Sequence, residues 1–226
     1  MNNFNLIKIS ALLMGIVMVS VLVLNSAIKS QAVEFLSEDY PTTAIGALPE
    51  SLSMRDAAGN ASVRESDQRD GTRGNVLYID SGTSVILSSL GDLGDVSLIT
   101  DINDGNQSAY VGIRMSADGK NGYVVQHDAY GGYALLYKVT NGVREELART
   151  LIRFGATGWN KLYLEARGDE IRVAVDTNAT AVASEIMVRD ASYASGKIVL
   201  GKDPNRGGDV ARFDNVTVKT PDSLLD

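Results

Sequence analysis

Residues 110–147, YVGIRMSADGKNGYVVQHDAYGGYALLYKVTNGVREEL, decide how this chain folds. Polar and apolar residues alternate here with a period of two. Val111, Ile113 and Met115 are expected on one face of a strand, with Tyr110 and Arg114 on the other. The β-rich runs are separated by Asp118-Gly119, Gly131-Gly132 and Asn141-Gly142, dipeptides that supply the positive φ a tight hairpin needs.

The same texture extends in both directions. Upstream are runs at 76–79, 84–88 and 95–102, and downstream are runs at 159–166, 170–177, 184–189, 196–201 and 211–219. Leu162 and Leu164 oppose Tyr163 and Glu165, and Ile171, Val173 and Val175 oppose Arg172 and Asp176. No segment after residue 32 has the period of a long amphipathic helix. About a dozen strands at spacings of roughly 8–12 residues predict an antiparallel β-sandwich. Residues 76–220 are assigned to it, with a tail at 221–226. Residues 33–75 are polar and irregular, and are expected to add one edge strand and a long surface loop.

Residues 1–32 have a different character. They hold no acid, an apolar run from Ile9 to Ile28, and then Ser30-Gln31-Ala32, a small-x-small site. This predicts an N-terminal hydrophobic helix, either a signal peptide cut after Ala32 or an uncleaved membrane anchor. Both place the remaining chain outside the cytoplasm. Removing Lys8 and Lys29 with the leader takes the formal charge from −7 to −9.

Composition excludes several functions. With no Cys there is no disulfide framework, thiol nucleophile or zinc finger. The acidic balance argues against a nucleic-acid partner, which needs cations to neutralise phosphates. The single His, His127, leaves one place for imidazole chemistry. Gly196–Lys202 has the spacing of a phosphate-binding loop, but Asp203 replaces the magnesium-binding hydroxyl and Lys-Ile-Val-Leu reads as a strand.

The stretch from Tyr110 to Val218 resembles the laminin-G-like jelly rolls of the concanavalin A-like lectin/glucanase superfamily. The resemblance is carried by the 110–147 run, GWNKLYLEARGDEIRVAVD, SGKIVLG and ARFDNVTV. It implies a jelly-roll sandwich and leaves activity open, because the superfamily hosts lectins, glycosidases, lyases and adhesins. It also implies a structural calcium held by Asp214 of the FDNV segment with Glu34. Acidic loops around Asp101, Asn103, Asp104, Asn106 and Asp118 offer further hard oxygens.

The glycosidase pattern E-x-D-x-E, which puts carboxylates on one strand face, is missing; adjacent Glu145 and Glu146 point to opposite faces. A cross-strand pairing of Glu165 with Asp176 or Glu146 is the alternative carboxylate arrangement. Similar jelly rolls of the 3-keto-disaccharide hydrolase type have an Arg and a Gln that match Arg114 and Gln126, but their Glu falls on Val124. If the chain is an enzyme, its residues are Arg114, Gln126, His127 and Glu165. A non-catalytic surface has better material. Tyr110, Tyr123, Tyr130 and Tyr133, with Arg114 and Gln126, supply rings to stack on pyranoses and donors for their hydroxyls. Tyr137 falls in the same stretch. The expected function is therefore an exported carbohydrate- or cell-surface-binding module; the alternatives are a glycan-acting hydrolase or lyase, and a structural subunit of a surface layer or filament. Four Asn-x-Ser/Thr sequons stand at Asn60, Asn106, Asn178 and Asn215.

Overall fold

A computed structural model of the chain describes residues 34–55, 59–80, 82–103, 108–128, 131–152, 158–176, 184–203 and 210–221. The hydrophobic N-terminal segment, Tyr130, Asp104, Asn106 and Asn178 lie outside the described residues.

Fifteen strands are described. They are β1 (Glu34–Glu38), β2 (Leu52–Met54), β3 (Ala61–Asp67), β4 (Arg73–Asp80), β5 (Ser84–Leu87), β6 (Val96–Asn103), β7 (Ser108–Met115) and β8 (Gly122–Asp128). Then come β9 (Tyr133–Thr140), β10 (Val143–Leu151), β11 (Asn160–Arg167), β12 (Glu170–Asp176), β13 (Ser184–Arg189), β14 (Lys197–Lys202) and β15 (Val210–Lys219). All pairings are antiparallel. One sheet has eight strands in the order β13-β12-β11-β6-β15-β4-β3, with β1 also on β15; the other has seven, β10-β9-β8-β7-β14-β5-β2. This is the all-β sandwich the alternation predicts. The twelve expected runs all form strands, and Gly196–Lys202 contributes β14. The 33–75 segment supplies the edge strand β1 and, beyond expectation, β2 and β3. Their signal is weak because β2 spans three residues and β3 buries only Ala61 and Val63 as apolar side chains.

The core lies between the sheets. Val111, Ile113, Val125 and Leu136 of the seven-stranded sheet meet Leu98, Leu162, Leu164, Val173 and Phe213 of the eight-stranded one. The Asn141-Gly142 turn has φ of 53° and 81° and pairs Thr140 with Val143, a two-residue hairpin of the expected kind.

One expectation about phase is corrected. Val111 and Ile113 are in the core, but Met115 joins Tyr110 in a second buried cluster on the opposite face, with Val124, Val139 and Val199. Arg114 is the cause. It adopts φ 51°, and the register of β14 against β7 shifts there. One left-handed residue reverses the side-chain alternation of the strand.

A candidate binding face on the seven-stranded sheet

Tyr110 of β7 is the centre of this face. Its strand neighbours are Gln126 on β8 and Gly201 on β14. The glycine is required here: a Cβ on Gly201 would fall 2.3 Å from Tyr110 Cζ, so the ring lies across the bare backbone. On β9, Tyr133, Leu135 and Tyr137 share this face, and Arg144, Glu146 and Arg149 follow on β10.

Arg144 links the face together. Its Nη1 donates to Gln126 Oε1 at 2.9 Å and to Asp203 Oδ2 at 2.7 Å. Its guanidinium carbon stands 5.4 Å from the Tyr110 ring centre and 5.8 Å from that of Tyr137. Arg144 and Tyr110 are three strands apart, about 14 Å of flat sheet. The long side chains of Arg144 and Tyr110 lean toward each other over β8 and β9 and close that span on the outer face of the sheet. A second arginine repeats the motif at the rim: Arg149 lies 5.5 Å from the Tyr133 ring centre and forms a forked pair with Glu146 at 2.6 and 2.8 Å. The result is a face on which tyrosine rings and planar cations cover a buried apolar layer (Val124, Val139, Val199), a surface able to stack on a hydroxylated ring.

Of the six residues expected to bind carbohydrate, Tyr110, Gln126 and Tyr133 share this face. Tyr110 and Gln126 are largely covered, so Tyr133 and Tyr137 are the more accessible rings. Tyr123 points into the core, because it is one residue out of phase with Val124. Its hydroxyl donates to Asp190 Oδ1 at 2.7 Å, and burial with that bond pushes its pKa up to about 12. Arg114 is turned away at the strand end, where Nε donates to Gly94 O (2.9 Å) and Nη1 to Gly168 O (2.8 Å) and Tyr193 O (3.0 Å). It ties three loops together and is not available to a ligand.

The conditional catalytic set is likewise dispersed. His127 is fully buried on the core face, where the Asn160 amide lies 2.8 Å from Nε2; because that amide only donates, the ring nitrogen accepts. Gln126, its neighbour, faces the Tyr110 side. Glu165 lies on the outer face of the other sheet and accepts from Ser97 Oγ at 2.8 Å. Arg114, Gln126, His127 and Glu165 therefore do not converge on one reacting bond. Glu145 and Glu146 are split between Lys138 and Arg149, as adjacent strand residues must be. Glu146 and Glu165 sit on different sheets.

Glu34 and Asp214 do not make one metal site. Glu34 pairs with Lys219, five residues along β15 from Asp214, about 17 Å at full extension. Asp214 is buried, and its carboxylate accepts from Asn215 N at 2.9 Å. Among the described residues, no three His, Asp or Glu side chains group as metal ligands. Two of the other expected groups are engaged within the protein: Asn103 Oδ1 accepts from Arg212 at 2.7 Å, and Asp118 accepts from Ser116 and Lys120 within its own turn. Those turn bonds hold the Asp118 carboxyl below its usual range. The sequons Asn60 and Asn215 are exposed, although Asn215 Nδ2 donates to Asp101.

Sequence reasoning missed Arg144 and Asp203. A usable signal existed: a two-residue Asn-Gly loop fixes the hairpin register and so places Arg144 on the Val139 face. The reach of its side chain over β9 and β8 to Tyr110 was not legible.

No protein-family model matches the chain, and no curated protein matches it. Solved structures do. The carbohydrate-binding module CBM66 from Bacillus subtilis aligns with TM-score 0.55 and 20% identity, over 75% of this chain and 96% of that one. The VIP36 exoplasmic/lumenal domain, in its Ca2+/Man3GlcNAc-bound form, aligns with TM-score 0.52 and 11% identity, over 80% and 87%. A prokaryotic β-1,3-1,4-glucanase (lichenase) derived from a mouse hindgut metagenome aligns with TM-score 0.51 and 14% identity, over 83% and 99%. At these identities the likeness is one of fold, and the fold is the concanavalin A-like jelly-roll sandwich.

Proposed function

We propose that this chain is an exported, non-catalytic carbohydrate-binding module that uses the outer face of its seven-stranded sheet. The observation carrying this reading is Arg144, held by Gln126 and Asp203 between the rings of Tyr110 and Tyr137. An arginine fixed in this way presents directed donors beside aromatic surface, which suits a sugar's alternating hydroxyl and C–H faces. The non-catalytic part rests on the dispersal of Arg114, Gln126, His127 and Glu165. A carbohydrate-binding module and a lumenal domain in a Man3GlcNAc-bound form among the structural neighbours agree with the binding class. Export rests on the N-terminal hydrophobic segment read from the sequence.

The test is a glycan array probed with the full chain and with Tyr133→Ala, Tyr137→Ala and Arg144→Ala. Binding to a defined set of glycans that falls at least tenfold in the Tyr137 and Arg144 variants is expected. A featureless array, or binding unchanged in all three, overturns the reading.

A further inference from the structure

The last strand changes partners halfway along. β15 pairs with β4 as far as Phe213 opposite Leu77, and with β1 from Val216 opposite Glu38. Between these ladders, Asp214 and Asn215 face no strand on that side. Asn215 adopts φ 50°, and the pairing with β6 also skips there, between Asp214 and Thr217. The gap opens a cleft of about 850 Å³, in the size range of ligand sites. Its walls come from four places in the chain: Asp39 and Pro41 after β1, Arg69 and Asp70 in the β3–β4 turn, Asp101 of β6, and Asn215.

Asp101 is the informative group. It is 3% exposed, and its Oδ2 accepts from Asn215 Nδ2 at 2.9 Å, but its Oδ1 accepts no hydrogen bond. The nearest cations to Oδ1 are Arg69 Nη1 at 3.7 Å and Lys161 Nζ at 3.8 Å, both beyond hydrogen-bond length. A buried carboxylate oxygen left in this state costs free energy until a donor reaches it. The missing donor has a restricted chemistry. A cation entering there meets Arg69 and Lys161, and an anion meets Asp39, Asp70 and Asp101. A hydroxyl meets neither objection, because it donates to Asp101 and accepts from Arg69 at the same time. Oδ1 is itself sealed from solvent, so Arg69 must shift to admit an oxygen; one about 2.8 Å from both then closes a triangle on the 3.7 Å separation.

We infer that this strand-switch cleft is a second binding site, separate from the outer face of the seven-stranded sheet, for the end of a neutral hydroxylated ligand, a hexose unit. One hydroxyl inserts between Asp101 and Arg69, while Asn215 and Asp39 face the rest of the ring.

Amide and arginine Nε–H NMR spectra of the full chain, titrated with glucose, galactose or mannose, test this. Glucuronate, glucosamine and calcium chloride serve as charged counter-probes. The expected result is that at least one neutral hexose shifts the signals of Arg69 Nε–H and the Asn215 side-chain amide, and that glucuronate and glucosamine do not. Asp101→Asn and, independently, Arg69→Gln should weaken that hexose at least tenfold while glycan-array binding through Tyr137 and Arg144 persists. Shifts produced by calcium alone, by the charged sugars equally, or by no probe overturn the inference. Retained array binding in that case leaves the reading of the Tyr137–Arg144 face standing.

Discussion

Arg144 and Asp203 meet at 2.7 Å on the outer face of the seven-stranded sheet, one from an edge hairpin and the other just past a central strand. The contact pins the hairpin over the face it covers. Asp203 is almost fully buried, so removing its cation leaves a carboxylate poorly solvated. Arg144→Ala is expected to cost about 2–3 kcal/mol, as a charge-assisted bond to a buried group does. Arg144→Lys should recover less than half, because a single ammonium does not serve Gln126, Asp203 and two rings together. Chemical denaturation of both variants, with Asp203→Asn in a double-mutant cycle, measures this.

Gly201→Ala should damage the face without touching a ligand-facing side chain. The new methyl would occupy the position of the Tyr110 ring. A loss of about 1–3 kcal/mol is expected from overpacking, with reduced glycan binding as Tyr110 is displaced from Arg144. Tyr110→Ala in the same background should restore part of the stability and none of the binding; calorimetry and the array separate the two effects.

Arg114→Met should be among the more damaging substitutions in the chain. The side chain is 1% exposed, and its removal strips donors from the carbonyls of Gly94, Gly168 and Tyr193 together. About 3 kcal/mol or more is expected. Hydrogen exchange should show the loss first around Gly94, Gly168 and Tyr193, and glycan affinity per folded molecule should be unchanged.

Much of this was legible in the sequence because a period of two records burial directly. Leu162, Leu164, Ile171 and Val173 are where alternation places them. The reading fails at Arg114, where a non-glycine residue takes a left-handed conformation and Met115 changes sides. It fails again wherever function depends on which strands meet. The pattern puts Tyr110, Tyr123 and Gln126 in one binding set and Gln126 with His127 in the conditional catalytic set, yet Tyr123 and His127 belong to the opposite face. Asp101 and Asn215 are 114 residues apart, and only the change of partner along β15 gives them a shared cleft.

Asp190 should make acid stability depend on one network. Burial opposes its charge, but hydrogen bonds from Ser192, Tyr123 and Lys138 outweigh that and hold its carboxyl well below the usual range. A depressed carboxylate stabilises the fold above its unfolded pKa of about 3.9, and the contribution disappears as pH falls through the folded value. Asp190→Asn should therefore lower Tm clearly at pH 7, with the difference from the native chain shrinking below about pH 4.

Asp214 should act in the opposite direction. Desolvation, with the nearby charges of Asp101, Asp39 and Asp70, raises its pKa to about 7, although a backbone bond from Asn215 opposes the shift. Folding then takes up a proton between the unfolded value near 3.9 and 7, so this group costs stability as pH rises through that window, by at most about 1.4 kcal/mol per unit. Asp214→Asn should be near parity with the native chain at pH 4 and more stable than it at pH 8. Thermal melts at both pH values decide this.

The two strands nearest the C-terminus of the described chain, β14 and β15, do not sit at the sheet margins. β14 lies between β7 and β5, and β15 separates β6 from β4. Before they pair, each sheet is two fragments with unpaired edges facing each other. A chain emerging from synthesis thus waits for residues 197–219 before either half of the sandwich is closed. Pairing of this kind is dominated by distant contacts and is slow, and during the wait four inner edges are open to another chain. The cost of this topology falls on folding yield more than on the finished molecule, and shortening the chain at residue 196 should convert a stable sandwich into an aggregating one.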